Sequence, residues 1–502
     1  MKQFVKKKIS FVMAMFMVMA AVISMALPMS ASAQGKYTLT LSNEGETSHD
    51  FEIYQIFSGD LSENGKILSN IQWGTGILES SKETLGDADG KARTLDDVSK
   101  AKAFAKEIQE HLDGNNKREI TVASKGSGTV EGLNAGYYLV KDKTGTQTGE
   151  NSAYTAYILK VVGNTTAETK LDVPTLTKKV KENSNQEWQD AADYNIGDKI
   201  PYKLTGTLPG NYNEYETYFY KFHDTVTAGL TIDRSSVKVK VVKKVGSGEA
   251  EEPIASGYLV GGSGNKLEVI FDDLKKIENP VITSESKIVV EYECALNEQA
   301  VIGKAGNPNT AYLEYSNNPN ESGGGDHGTT PEDKNIVFTY KVVVNKKDEG
   351  SQPLAGAEFE LYKKTEGGEV KIDRFTINNI LENAYTFGFK GLDAGTYVLK
   401  ESKAPSGYNK IDDIEFTIEA GYDTEEDDPK LKSLTVQTTG TITFTPNLDE
   451  GSLSTDVINK KGIELPETGG MGRYLIYTLG TIFVLAALGY AGYKRTGKHS
   501  ER

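Results

Sequence analysis

The stretch Phe338-Thr339-Tyr340-Lys341-Val342-Val343-Val344-Asn345-Lys346-Lys347-Asp348 decides the fold class, because its apolar residues occur at every second position. Aromatic and β-branched side chains with this period are typical of a β-strand. Successive side chains of a strand point to opposite faces, so Lys346 continues the apolar face and Lys347 the polar one. The stretch therefore predicts a strand that carries a lysine into a buried core.

Most of the chain repeats this pattern, with Tyr- and Val-rich alternating segments separated by clusters of Gly, Asn and Asp. One helix is expected from Asp97 to Leu112, where small and apolar residues recur at helical spacing. Breaks are expected near Lys170–Pro174 and at Asn318–Asp333, which is rich in Gly, Pro, Asn and Asp. We expect a mainly β fold with domains at about 36–170, 171–332 and 337–462.

Both ends of the chain read as targeting segments. Basic residues precede an apolar run from Phe11 to Leu27, which ends at the small-residue site Ala31-Ser32-Ala33. Residues 1–33 are therefore expected to be a signal peptide that is removed on export. At the other end, the uncharged stretch Tyr474–Tyr493 can span a bilayer, and the basic tail 494–502 is expected to lie in the cytoplasm.

Composition excludes several classes of function. The net charge of −15 argues against nucleic acid as a partner. Cys294 is the single cysteine, so no intrachain disulfide can form. The five histidines show no ligand spacing, and no Ser-His-Asp or Cys-His pattern is visible. We expect no metal, no cofactor and no enzymatic activity on other molecules.

The pentapeptide Leu465-Pro466-Glu467-Thr468-Gly469 stands just before the apolar segment. It resembles the sorting signal of sortase transpeptidases, and Pro466 favours the extended shape that a protease-like groove accepts. The resemblance implies cleavage after Thr468 and attachment of this threonine to another amine. The chain is therefore expected to be secreted and anchored to the peptidoglycan of a Gram-positive cell wall.

The third domain contains two further segments with a shared pattern, Gly395–Tyr408 and Val457–Lys461. Together with the opening stretch they resemble a CnaB-type immunoglobulin-like domain, which forms an internal Lys–Asn isopeptide bond. The resemblance assigns Lys346 as the nucleophile, Asn459 as the electrophile and Glu401 as the acid that moves protons. The alternative is a buried Lys–Glu ion pair beside a surface asparagine.

Burial explains why such a bond could form without an enzyme. Desolvation lowers the pKa of a buried lysine, so that its amine loses its charge, and raises that of a buried carboxyl, so that it keeps its proton. The acid can then polarise the amide and pass protons to the departing ammonia. Contact between amine and carboxamide supplies a high effective molarity.

The middle domain is similar to the central isopeptide-forming domain of SpaA- and FimA-type fimbrial shaft proteins, through its segments Val173–Val180, Tyr194–Tyr202, Tyr218–Thr225 and Asn307–Pro319. Alternation makes Lys178 the inward lysine and Asp224 the candidate acid. Asn309 has the parity of the buried residues that follow it, and Asn317 has the same parity. Both asparagines are therefore candidates for this bond.

The first domain matches the same proteins in layout only. Its segment Gly136–Asp142 mimics Gly395–Glu401, with Lys141 expected where the acid would stand. No isopeptide bond is therefore expected there.

The junction Glu168-Thr169-Lys170-Leu171-Asp172-Val173-Pro174 carries the lysine to which this family joins the terminal threonine of the next subunit. It keeps the lysine and the Val-Pro pair but lacks the family's proline before the lysine. The resemblance implies that Lys170 and Thr468 link identical subunits head to tail, with Lys179 or Lys181 as the next candidate acceptors. The implied partners are a class C-type pilin sortase, a housekeeping sortase, and tip and base pilins, and the sequence leaves a host ligand open.

These features favour the repeating shaft subunit of a covalent, sortase-assembled pilus that supports adhesion. A wall-anchored adhesin that never polymerises is the alternative, and it leaves the junction lysine unexplained. A wall-bound enzyme would explain only the targeting segments.

Overall fold

The computed structural model describes residues 37–169, 172–321, 325–372, 375–377, 385–462 and 470–496. Three β-rich domains follow one another along the chain, and an apolar helix comes last. The expected fold class, tandem β-sandwiches with few short helices, is confirmed.

The first domain consists of two sheets and three short helices. Its strands are β1 Tyr37–Asn43, β2 His49–Leu61, β3 Leu68–Trp73, β4 Arg118–Val122, β5 Ser127–Leu133, β6 Gly136–Asp142, β7 Gly149–Glu150, β8 Ala156–Val161 and β9 Thr165–Thr169. The sheets have the orders β5-β1-β9 and β3-β2-β6-β8, with β4 beside β2. The helices are α1 Glu79–Leu85, α2 Ala88–Thr94 and α3 Val98–Glu107.

The expected helix is present but shorter than predicted. The Asp97 side chain caps α3 by accepting a hydrogen bond from the Lys100 amide at 2.9 Å. The chain then tightens into the 3₁₀ helix Ile108–His111. Phe104 and Ile108 pack against Phe57 of β2, so this helix covers one face of the larger sheet.

The middle domain is a sandwich of two large sheets. Its strands are β10 Leu176–Lys181, β11 Trp188–Gln189, β12 Ala191–Asp193, β13 Lys199–Thr207, β14 Tyr220–Val226, β15 Leu230–Val245, β16 Gly248–Pro253, β17 Leu259–Gly261, β18 Lys266–Phe271, β19 Lys287–Leu296, β20 Asn307–Ser316, β21 His327–Thr329 and β22 Asp333–Phe338. One sheet has the order β11-β10-β13-β19-β15-β16, and the other has the order β12-β22-β20-β14-β18-β17 with β21 beside β20. The 3₁₀ helices Tyr212–Glu214 and Leu274–Lys276 lie in its loops.

The third domain is a smaller sandwich of two five-stranded sheets. Its strands are β23 Tyr340–Lys347, β24 Glu358–Thr365, β25 Gly368–Ile372, β26 Phe375–Ile377, β27 Thr386–Leu392, β28 Gly395–Lys403, β29 Ile414–Tyr422, β30 Leu431–Thr438, β31 Phe444–Asn447 and β32 Ser452–Ile458. The sheets have the orders β26-β27-β23-β32-β31 and β25-β24-β28-β29-β30. The first and last strands, β23 and β32, are parallel neighbours.

Strict alternation of buried and partly exposed residues builds these cores. Every second side chain of β13, β14 and β23 is buried, as their sequences predict. Each fully buried large apolar side chain contributes roughly 1.5–3 kcal/mol to the free energy of folding. The same alternation carries one charged lysine into the core of each of the last two domains.

The boundary between the middle and third domains differs from the predicted one. The described part of 318–333 belongs to the middle domain, since it contains β21, and both β21 and the following β22 pair with β20 of the same sheet. Only Thr339, which is fully buried, separates β22 from β23. Composition could not distinguish a linker from a loop, because Gly, Pro and Asn serve both.

The first domain is attached to the middle domain by a shared sheet. Strand β7 pairs in parallel with β21, so part of the first domain extends the sheet of the second. Ion pairs of Lys102 with Glu214 and Lys106 with Glu216 also join the two domains.

The final element is α4 Gly470–Thr496. Within it, Tyr474–Lys494 is long and apolar enough to cross a membrane. This helix is compatible with the expected membrane anchor.

Candidate functional site

The third domain brings its three predicted residues together in its core. Lys346 lies on β23, Asn459 directly follows β32, and Glu401 comes from β28 in the facing sheet. All three side chains are fully buried. The Asn459 amide continues the parallel pairing by donating to the carbonyl oxygen of Lys347 at 3.1 Å. Lysine and asparagine are thus held on neighbouring strands, with the acid opposite them.

Glu401 binds the amide nitrogen of Asn459 with both carboxyl oxygens. The Asn459 Nδ2 atom donates to Oε1 at 2.9 Å and to Oε2 at 3.0 Å. The Ile411 amide also donates to Oε2 at 3.0 Å and fixes the carboxyl group. This arrangement places a carboxyl group, which can take up and return a proton, next to the nitrogen that would leave in an amide exchange.

The Lys346 amine is separate from this carboxyl pair. Its Nζ donates to the carbonyl oxygen of Val457 at 3.0 Å. Burial lowers the pKa of Lys346 to about 8, although the charge of Glu401 opposes this change. About a tenth of the amine is therefore uncharged at pH 7, far more than for an ordinary lysine, and this fraction can act as a nucleophile.

The middle domain also gathers its predicted trio, with a different distribution over the sheets. Asp224 on β14 and Asn309 on β20 lie on adjacent antiparallel strands, and Lys178 on β10 faces them from the other sheet. The Lys178 Nζ atom donates a short hydrogen bond to Asp224 Oδ2. All three residues are at most 1% exposed. Here the acid contacts the lysine rather than the asparagine.

Sequence reasoning missed Tyr292 on β19, whose hydroxyl joins the whole middle trio. The hydroxyl donates to Asp224 Oδ2 at 2.7 Å. It accepts from Lys178 Nζ at 2.9 Å and from Asn309 Nδ2 at 2.9 Å. The buried parity of β19 could have marked Tyr292 as a core residue, but not which side chains it meets.

Asn309, Asn317 and Asn335 are all buried in the middle domain, but their side chains bind different groups. Asn309 contacts the trio, whereas Asn317 donates from Nδ2 to the Gln147 carbonyl oxygen at 3.0 Å and thus binds the first domain. Asn335 on β22 lies opposite Asn309 and donates to the backbone oxygen of Lys178 at 3.2 Å. Asn335 was not among the predicted candidates, because it falls in the segment interpreted as a domain boundary.

The first domain holds a buried acid at the position where a lysine was expected. Counted from the two glycines, Asp142 rather than Lys141 corresponds to Glu401, so the predicted correspondence was one residue off. Asp142 is buried and bonds His49 Nδ1 at 2.7 Å, while Lys141 points towards Glu52. The position of Lys346 on the first strand is taken by Asn43, since both follow two buried aliphatic residues at alternate positions. The absence of an isopeptide bond here stays a prediction, now based on the missing lysine.

The residues proposed for linkage between subunits, Lys170 and Leu465–Gly469, lie outside the described residues. The chain on either side of Lys170 is anchored. Thr169 ends β9 of the first domain, and Asp172 Oδ2 accepts a hydrogen bond from the Gly210 amide of the middle domain at 2.6 Å.

Within the described residues, no group of three or more His, Cys, Asp or Glu side chains has the arrangement of a metal site. His223 and His327 share one binding partner, Glu314, which their spacing in the sequence did not indicate. Both bind Glu314, at 2.8 Å each, on the outer face of the β14–β20 sheet.

Two family descriptions match the domains that carry the trios. Residues 196–319 match the Cna-B-like domain of Gram-positive pilin backbone subunit 2, and residues 340–430 match the SpaA prealbumin-like fold domain. The chain is 28% identical over 396 residues to the trypsin-resistant surface T6 protein of Streptococcus pyogenes serotype M6. That alignment covers 66% of this chain and 70% of the relative.

One solved structure shares the three-domain fold, and a second is more distantly similar. The T6 backbone pilin of serotype M6 Streptococcus pyogenes has a TM-score of 0.55 and 20% identity, and the match covers 86% of this chain and all of that one. The major pilin SpaD of Corynebacterium diphtheriae has a TM-score of 0.47 and 19% identity, with 87% of this chain and 99% of that one covered. The two domain matches and the T6 relative show that the chain is similar in sequence to Gram-positive backbone pilins.

Proposed function

We propose that this chain is the structural shaft subunit of a covalent, sortase-polymerised pilus on a Gram-positive cell surface, stabilised by two Lys–Asn isopeptide bonds. The observation that carries the proposal is the presence of a buried lysine, acid and asparagine in each of two consecutive domains. Burying a charge or an amide without partners lowers the stability of a fold. A cross-link that resists tension would explain why a shaft subunit keeps these groups in its cores.

Each bond would form by attack of the lysine amine on the asparagine carboxamide. One C–N bond forms as another breaks, ammonia leaves, and the acid moves the protons. The Lys346–Asn459 bond would join the first strand of the third domain to the residue after its last strand. Tension would then pass through one amide and bypass most of the domain.

Assembly would join Thr468 of one subunit to Lys170 of the next through a class C-type pilin sortase, and a housekeeping sortase would attach the polymer to peptidoglycan. Such a head-to-tail contact does not close on itself and propagates as a fibre. The next candidate acceptor, Lys179, is occupied, because it forms ion pairs with Asp190 at 2.8 Å and Glu425 at 3.0 Å. These contacts support Lys170 as the acceptor.

An immunoblot of wall extract boiled in detergent tests the polymer. Wild-type cells that express the cognate sortase should show a ladder of high mass. Lys170→Arg keeps the charge but removes the nucleophilic amine, so the ladder should collapse to wall-attached monomer.

The matched control is Lys179→Arg, which should leave the ladder intact. A ladder that survives in Lys170→Arg contradicts the assignment of the acceptor. The absence of a ladder in wild-type cells would support the monomeric adhesin instead.

A further inference from the structure

The hydroxyl of Tyr292 has all its hydrogen-bonding capacity used within the middle trio. A tyrosine hydroxyl has one donor and two acceptor sites. Its donor is directed to Asp224, and its acceptor sites receive Lys178 Nζ and Asn309 Nδ2. The hydroxyl is therefore in contact with the reacting atoms on both sides of the predicted bond.

The third domain needs no such group, because Glu401 contacts the Asn459 nitrogen directly. Asp224 has a side chain one methylene shorter and already bonds Lys178. Among the described residues, no hydrogen bond joins Asp224 to Asn309, and the two share Tyr292 as their common partner. A proton taken up by Asp224 thus has a short path to the leaving nitrogen through the tyrosine hydroxyl.

We infer that Tyr292 is a catalytic proton relay for the Lys178–Asn309 bond, an inference that rests on the proposed cross-link. Lys178 first gives a proton to Asp224, and the free amine attacks the Asn309 carboxamide carbon. In the tetrahedral intermediate, the nitrogen that came from the Asn309 amide has a lone pair and can accept a proton. Tyr292 donates its proton to this nitrogen while Asp224 returns one to Tyr292.

The protons balance over the whole sequence. The attacking amine loses its second proton to Asp224, and the departing group leaves as ammonia. The products are a secondary amide, ammonia and a protonated Asp224. No oxidant, reductant or cofactor takes part.

The chain offers a matched control in Tyr202, which lies directly opposite Tyr292 on β13. Their rings stack with centroids 5.5 Å apart, and both residues are buried. The Tyr202 hydroxyl lies near the Asn309 side chain, but within the described part of the chain it makes no hydrogen bond to Asp224 or Lys178. Tyr202→Phe and Tyr292→Phe therefore remove the same atom from neighbouring rings, and only the second change breaks the proposed relay.

The test follows bond formation in the three-domain chain Lys36–Lys461, refolded from urea-solubilised inclusion bodies and sampled by mass spectrometry of the cross-linked peptides. Tyr292→Phe should slow the Lys178–Asn309 product about 100-fold. Tyr202→Phe removes a hydroxyl near Asn309 but no contact with Asp224, so its rate should stay at least tenfold above that of Tyr292→Phe. The Lys346–Asn459 product in the same molecules serves as the internal control for folding.

A second variant separates a relay from simple packing. In Asp224→Glu combined with Tyr292→Phe, the longer carboxyl can reach Asn309 directly, as Glu401 reaches Asn459. This double variant should form the Lys178–Asn309 product at least tenfold faster than Tyr292→Phe alone. An unrecovered rate, or a Tyr292→Phe rate equal to wild type, overturns the relay while the cross-link stands. A wild-type chain without the Lys178–Asn309 product overturns the cross-link and the relay together.

Discussion

The two trios distribute the same chemistry differently over their sandwiches. In the third domain, lysine and asparagine share one sheet, and the acid faces them from the other. In the middle domain, acid and asparagine share a sheet, and the lysine faces them. In each case the acid bonds directly to the residue across the sandwich, which is Asn459 in one site and Lys178 in the other.

In the proposed reaction, the acid would therefore begin at the leaving group in one site and at the nucleophile in the other. Glu401 holds the leaving group and has no direct bond to Lys346, whose amine relies on burial to lose its charge. Asp224 holds the nucleophile and needs a third group to reach the leaving nitrogen. Both trios therefore consist of a lysine, an acid and an asparagine. In the third domain the acid is placed for proton transfer to the asparagine nitrogen, and in the middle domain it is placed for proton transfer from the lysine.

The largest expected effect is complete loss of one cross-link. Wild-type Lys36–Lys461 should be lighter than its sequence mass by two ammonia units. Asp224→Ala and Glu401→Ala should each restore one unit, because each removes the acid of one site. Asn335→Ala removes a buried amide that lies opposite Asn309 but binds the backbone oxygen of Lys178 rather than its amine, and it should keep both deficits. A wild-type mass equal to the sequence mass would rule out both bonds.

The next effect is on stability. Lys346→Ala should lower the third domain's unfolding transition strongly, since a bond closing a loop of ~100 residues is worth about 4–5 kcal/mol on the disulfide analogy. Asn459→Ala, which lacks the same bond but keeps the lysine, should lower it comparably in calorimetry. Reductant should change nothing, because Cys294 has no second cysteine to pair with. A mutant transition within a degree or two of wild type would indicate an ion pair instead.

The pH dependence of bond formation should separate the sites. Because the pKa of Lys346 is about 8, its uncharged fraction falls about tenfold per pH unit below that value. The Lys346–Asn459 rate should therefore rise steeply from pH 6 to 8 and level off above. The Lys178–Asn309 rate should vary less, because Asp224 accepts the lysine proton inside the site. If the rates of the two bonds changed equally with pH in refolding samples, this distinction would be contradicted.

The smallest effect is expected at Asn317. Asn317→Ala should leave both mass deficits intact, because this side chain binds the first domain rather than Lys178. Loss of its hydrogen bonds should weaken the attachment of the first domain by about 1–2 kcal/mol, measurable as faster hydrogen exchange in β7 and β21. Loss of one deficit would instead make Asn317 the electrophile.

Strand parity predicted a large part of both sites from the sequence. It distinguished Lys346 from Lys347 and Lys178 from Lys179, since the period of two leaves no choice once a core face is known. It left Asn309 and Asn317 equivalent, because parity does not say how far along a strand a partner lies. Only the pairing register of β20 with its neighbours separates them.

Other features depend on tertiary contacts that no local pattern contains. Tyr292 lies more than a hundred residues from Lys178 and looks like any other inward tyrosine. The correspondence of Lys141 with Glu401 failed by one residue, and a slip of one exchanges the buried and exposed faces of a strand. The helix at Val98 was predicted, whereas α1 and α2 have seven residues each, too few to show a clear period.

The parallel pairing of β23 with β32 has a topological consequence. An amide between Lys346 and Asn459 would close all the intervening chain into a ring with two tails. A protease that cut one loop of this ring would open it without dividing the polymer, because both tails would stay joined through the amide. Loops such as the one between β24 and β25 could then be cut once, or change in sequence, while the fibre remained continuous.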